Sequence, residues 1–173
     1  TGFAGLMIAM AIYNLLIFFT VRDPSYFWYV FHVLAMIGIV TMLDGLAFQL
    51  LWPDLPVINE HGMVVAIGLS ILASGVFASL FLNVHRHARW MRVLVLGTAS
   101  VGGFLILLSL ITPYAIAIRA AMLVAIVAMP TMIFTGVYLW YRGEVLARYY
   151  TVAWLLLLSG NALLAIEKFG VIP

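Results

Sequence analysis

Charge is what this sequence lacks most. Only 8% of its 173 residues are Asp, Glu, Lys or Arg, while 66% are hydrophobic. A soluble domain carries about 25% charged residues. Too little polar surface remains to face water, so the chain reads as an integral membrane protein. Cysteine is absent, which excludes disulfides and leaves the redox compartment unread. The excess of eight basic over six acidic residues is too small to point to nucleic acid. No basic segment precedes the first apolar run, so that run does not read as a signal peptide. P-loop, HExxH and Gly-rich dinucleotide motifs are missing. Nothing specifies catalysis, a metal or a cofactor, and an inverted repeat of transporter type is not evident.

What is present is a series of long apolar runs. They cover about residues 2–21, 26–52, 62–83, 91–112, 114–141 and 149–169. Each meets the requirement of about 20 residues for a spanning helix. Barrel strands would alternate apolar and polar residues, and these runs do not. The expected fold is all-α, a polytopic transmembrane helix bundle in one domain. The connections after runs one, three and five hold Arg22, Arg86, Arg89, Arg92, Arg142 and Arg148, against Arg119 and Lys168 on the other side. By the positive-inside rule the arginine-rich side is cytoplasmic and the N-terminus lies outside. The chain starts at Thr1 and, after six spans, ends outside at Pro173. A seven-helix module truncated before its last helix is therefore the expectation.

The stretch "MLDGLAFQLLWP" (42–53) places a carboxylate in the second apolar run. Counted from Tyr26, Asp44 lies about 27 Å along a helix, near the outer edge of the hydrocarbon. Such a group needs a partner or water. It serves a ligand, ion or proton, or it holds a nearby cation or helix end. Arg119 lies about 9 Å into the fifth run, and Glu167 is near the outer end of the sixth. Asp44, Arg119 and Glu167 are thus expected at similar depth as one outer-leaflet polar cluster, with Gln49 beside it or simply at the interface. Gly45 would let a neighbouring helix or loop approach. Trp52 fits the interfacial aromatic belt, and Pro53 is a helix stop.

Asn14 and Asn161 are candidates for interhelical hydrogen bonds. Pro130 is expected to kink the fifth helix or act as its hinge. The glycines of "GTASVGGF" (97–104), with Ser70, Ser74 and Ala78, read as close helix-packing positions. His85 and His87 flank Arg86 without acidic or thiol neighbours, so a metal shell is not formed; a solvated loop or lipid headgroups suit them better. His32 and His61 stand isolated. "ILASGV" (71–76) is similar to the serine stretch of intramembrane serine proteases, but His32 is a poor partner in depth. Lys168 sits at a helix end, not mid-helix as a retinal-binding lysine would.

Two longer strings carry a family resemblance. "AIYNLLIFFTVRDPSYFWYVFHVL" followed by "LDGLAFQLLWP" contains Tyr13, Asn14, Arg22, Asp23, Tyr26, Tyr29, Asp44, Gly45, Trp52 and Pro53. "YRGEVLARYYTVAWLLLLSG" contains Gly143, Ala147, Arg148 and Trp154. In these the chain resembles the membrane domain of bacterial seven-transmembrane receptors with diverse intracellular signalling modules. The resemblance implies a sensor without cofactor. An extracytoplasmic ligand or ligand-binding domain would act on one side, and a histidine kinase, cyclic-di-GMP synthase or similar output domain on the other. Homodimerisation in the lipid bilayer is implied as well. It supplies no established set of catalytic or ligand residues. The competing expectation is a small ion-coupled transporter using Asp44, Arg119 and Glu167.

Overall fold

The computed structural model describes residues 2–46, 49, 56–87 and 89–168, with side chains described over 5–46, 49, 60–87, 89–156 and 159. Among these residues there are six α-helices and no strand: α1 (Gly2–Val21), α2 (Pro24–Leu43), α3 (Pro56–Phe81), α4 (Arg89–Ile111), α5 (Tyr114–Tyr141) and α6 (Val145–Lys168). A 3-10 turn at Val84–Arg86 joins α3 to α4. The expected all-α bundle is what forms. Four helices are long and apolar enough to cross a membrane over described residues: Pro24–Leu43, Glu60–Phe81, Arg89–Ile111 and Tyr114–Tyr141. Shorter apolar stretches lie at Gly5–Val21 and Val145–Leu156.

Local chemistry sets the helix ends. Arg22 closes α1 with φ 56°, and its N–H donates to the Phe18 carbonyl at 2.7 Å. Asp23 then caps α2, its Oδ1 accepting from the Ser25 N–H at 2.8 Å and the Ser25 hydroxyl at 2.7 Å. Pro24 follows at the first helical position, where its missing N–H costs nothing.

The second apolar run departs from the expectation of one helix over 26–52. α2 stops at Leu43 with Asp44 as its C-cap. Gly45 follows with φ 73° and donates its N–H to the Met42 carbonyl at 3.1 Å. This is a glycine-type helix end, which an L side chain would strain. Among the described residues, a Cβ on Gly45 would meet nothing within 4 Å. Its role is backbone conformation. Trp52 and Pro53 lie outside the described residues.

α3 is the central helix. It packs against α2, α4, α5 and the 3-10 turn, while α1 packs on α2 and α6 on α5. Half of the spanning window of α3 is buried, 50% against 22–28% for α2, α4 and α5. Its approach to α4 is the closest kind available to helices. A Cβ on Gly102 would lie 2.6 Å from the Leu72 nitrogen and 2.7 Å from the Gly68 carbonyl oxygen; one on Gly75 would lie 2.8 Å from the Ala99 Cβ. Small residues permit this backbone contact, which serves association where no hydrophobic drive exists between lipid-bathed helices. The packing expected of the 97–104 glycines holds for Gly102 and for Gly103, where an added Cβ would lie 3.2 Å from Leu72 Cδ1, whereas one on Gly97 would meet nothing within 4 Å among the described residues.

Candidate functional site

The arginine-rich end gathers the C-termini of α1, α3 and α5 and the N-termini of α2, α4 and α6. Its core is Ala78, Leu82, Val84, Met91, Val95, Met132, Leu139, Ala147 and Tyr150, flanked by Phe77, Phe81, Tyr138 and Trp154. Rings connect three helices here. Tyr29 of α2 lies 5.5 Å from Phe77 of α3, which stacks on Phe81 at 5.1 Å and stands 6.2 Å from Tyr150 of α6. Tyr150 is 6.1 Å from Trp154, and Trp154 is 5.9 Å from the ring of His32 on α2. Gly136 makes room for α6 against α5: a Cβ there would sit 2.5 Å from Thr151 Oγ1 and 2.8 Å from Tyr150 Cδ1.

His32 is the polar centre of this aromatic wall. It is buried, and its Nδ1 lies 3.1 Å from both the carbonyl oxygen and the hydroxyl of Ser70 on α3. Two arrangements satisfy this pair. With a proton on Nδ1, the ring donates to the carbonyl. With Nδ1 bare, the serine hydroxyl donates to the ring. The contact can therefore change its hydrogen-bond pattern without moving a helix. Nearby, the Tyr150 hydroxyl is buried beside Trp154 and makes no hydrogen bond of good geometry among the described residues. Such a group is costly in a dry interior.

The second interhelical tie is also a histidine. His61 Nδ1 on α3 donates to the Ser109 carbonyl of α4 at 2.6 Å. Most hydroxyls in the helices do something different. Thr20, Thr41, Thr98, Ser100, Thr112, Thr131, Thr135 and Thr151 donate to carbonyls one turn back in their own helix, which removes the hydroxyl's cost without linking helices. The reading of His32 and His61 as isolated residues is therefore corrected: between them they fasten α3 to α2 and to α4. An isolated sequence hides this because the partner atoms are serines 38 and 48 residues away. The usable signal was a histidine within each apolar run, where an unpartnered imidazole is expensive. Ser74, the serine of "ILASGV", donates to its own Ile71 carbonyl at 3.0 Å; it is Ser70, one turn earlier, that meets His32.

At the loops of the same end, His87 Nε2 lies 3.1 Å from Glu144 Oε1, and Nδ1 lies 3.2 Å from the Asn83 carbonyl. Both partners accept, so the ring fills both contacts when it carries both protons. This pair joins the α3–α4 connection to the α5–α6 connection.

The other candidate residues are placed as follows. Asp44 is exposed at the end of α2, and Gln49 is exposed with its N–H donating to the Gly45 carbonyl at 3.0 Å. Arg119 is exposed in the second turn of α5, and no ion pair is formed by it among the described residues. The Glu167 side chain lies outside the described residues, and the expected outer cluster falls outside them with it. Asn14 donates to the Met10 carbonyl of its own helix at 2.8 Å, and the Asn161 side chain lies outside the described residues. Pro130 sits inside α5, which remains helical on both sides of it. No group of three or more His, Asp or Glu side chains that could hold a metal occurs among the described residues.

A protein-family model described as "7TM diverse intracellular signalling" matches residues 1–173, the whole chain. No curated protein and no solved structure matches it.

Proposed function

The chain belongs to the 7TM diverse intracellular signalling family, and from that premise we propose that it is the transmembrane signalling domain of a bacterial receptor. It relays an extracytoplasmic stimulus, from a ligand or a ligand-binding domain, to a cytoplasmic output domain such as a histidine kinase or cyclic-di-GMP synthase. The domain itself carries out no catalysis and works as a homodimer in the bacterial inner membrane. The family match over the entire chain is the observation that carries this reading.

The geometry supplies a means of relay. Signalling by shifted helix packing needs an element with two arrangements that both sides can bias. The α2–α3–α6 junction supports this reading, because its rings can be repacked by side-chain rotation and the His32–Ser70 contact ties α2 to α3 at the same place. A stimulus that displaces α2 or α3 would change this contact and, through Trp154 and Tyr150, the seating of α6. The arginine bias puts that junction in the cytoplasmic half, close to any output domain.

Side-specific thiol labelling tests the topology, and a cysteine-free chain makes it clean. His85→Cys is expected to react only after the membrane is permeabilised, and Ile116→Cys to react from outside. External reaction at position 85 would overturn the orientation and with it the relay from outside to inside. Solute uptake by vesicles containing only this domain would favour a carrier instead.

A further inference from the structure

The outer wall of the arginine-rich end carries a feature the relay does not use. Residues of α4 and α5 line an open apolar groove of about 510 Å³: Trp90, Val93, Leu94, Pro130, Thr131 and Phe134. Pro130 has no N–H to return to the carbonyl one turn back, and Thr131 Oγ1 donates to the Val127 carbonyl at 2.7 Å. The groove is thus almost free of exposed polar atoms. Trp90 forms its end wall, 6.4 Å from Phe134 and edge-on to Tyr138 at 5.3 Å.

Just past that wall stands a fixed guanidinium. Arg142 lies over the Tyr138 ring at 5.3 Å, and its Nη2 and Nε donate to the phenol oxygen at 2.8 and 3.2 Å. Its remaining N–H donors are unspent. The nearest acid in sequence, Glu144, is engaged by His87 at 3.1 Å. Among the described residues no carboxylate lies within ion-pair distance of Arg142, or of Arg89 and Arg92, which bracket Trp90. Among the described residues, the charge at this corner has no carboxylate partner.

The dimensions match one class of molecule. From Pro130 to Arg142 the helix rises about 18 Å at 1.5 Å per residue, comparable to one leaflet of a hydrocarbon core about 30 Å thick. A short apolar groove lined by Trp90, Pro130 and Phe134, with arginines that have no carboxylate partner among the described residues towards the helix end, suits part of an acyl chain with a phosphate at its head. Arginine's fork binds phosphate oxygens pairwise, and tryptophan at the junction fits the headgroup boundary. We propose that this groove is a binding site for an anionic phospholipid, with an acyl chain against Pro130 and Phe134 and the headgroup phosphate on Arg142, supported by Arg89 and Arg92. The proposal rests on the chain being a membrane protein and not on its orientation or its relay function.

Native mass spectrometry of the detergent-purified protein, offered equal phosphatidylglycerol and phosphatidylcholine, tests it. The wild type is expected to retain phosphatidylglycerol preferentially. Arg142→Gln should reduce that preference about fivefold, the worth of one basic residue near a membrane surface, while Arg142→Lys keeps most of it. Thr131→Trp, which fills the trough, should weaken retention of both lipids. If Arg142→Gln does not fold, the pair Arg89→Gln and Arg92→Gln replaces it with the same expectation. Equal retention of the two lipids by the wild type, or a preference untouched by the arginine substitutions, overturns the proposal. So does protection of the groove by a second copy, seen as a dimer that excludes lipid and is broken by Thr131→Trp.

Discussion

The two ends of this bundle are built from different materials. At the arginine-rich end α2, α3 and α6 meet through rings, with Phe77, Phe81, Tyr150, Trp154 and His32 in one continuous wall. At the opposite end the core is Val64, Ile71, Leu105, Ala117, Ala121 and Ala128, with only partly buried residues packed around it. Towards that end α3 and α4 touch backbone to backbone at Gly68 and Gly102. A glycine contact allows almost no tolerance, because what it meets is main chain. A ring contact can be repacked by rotation of a side chain. The first suits a fixed joint and the second a contact that changes with state.

Substitutions can break this contrast. The largest effect is expected at Gly102→Leu, whose Cβ would collide with the Leu72 nitrogen and the Gly68 oxygen. Overpacking of this kind costs about 1–3 kcal/mol or more, read as earlier denaturant unfolding in detergent. Gly136→Leu is expected to cost less, because the obstacles are the Thr151 hydroxyl and the Tyr150 ring, which are side chains. A reversed order would remove the distinction between the two ends. Gly97→Leu, with open space around it, should leave unfolding nearly unchanged.

Smaller effects sharpen the comparison. Gly45→Ala forces an L residue to φ 73° and should destabilise by about 1 kcal/mol. No destabilisation would mean that the helix end at Asp44 is not fixed by its glycine. His32→Ala removes an interhelical hydrogen bond, worth on average about 0.6 kcal/mol between membrane helices. Its unfolding midpoint should move slightly while its functional effect is large. Tyr150→Phe goes the other way. It deletes a buried hydroxyl without a well-formed hydrogen bond, and a gain of up to about 1 kcal/mol is expected. A loss of that size would show that the hydroxyl has a partner in the membrane.

Much of the fold was legible in the sequence, because apolar runs of spanning length leave few alternatives. The fifth run, 114–141, coincides with α5 at both ends because Pro113 and Gly143 punctuate it. The second run was read as too long, since hydropathy does not register a helix end written as Asp44–Gly45 inside apolar residues. A glycine after the last helical position is a stop signal, and it stood in plain view. The site was far less legible. The conspicuous charges, Asp44 and Arg119, are exposed, while the polar contacts between helices are made by His32 and His61 with serine atoms distant in sequence. Such pairs follow from which helices become neighbours, and spacing along the chain does not record that.

The relay proposed above runs through the His32–Ser70–Trp154 junction to a cytoplasmic output domain. It is tested most directly by the activity of that domain in the complete protein, measured in native membranes at matched protein levels for wild type, His32→Ala and Trp154→Leu, with Gly97→Leu as a control. Basal output is expected to change about tenfold in the two junction variants, the effect of about 1.4 kcal/mol on a two-state equilibrium, and to stay unchanged in the control. Wild-type output in both junction variants, with the bundle folded, would contradict it.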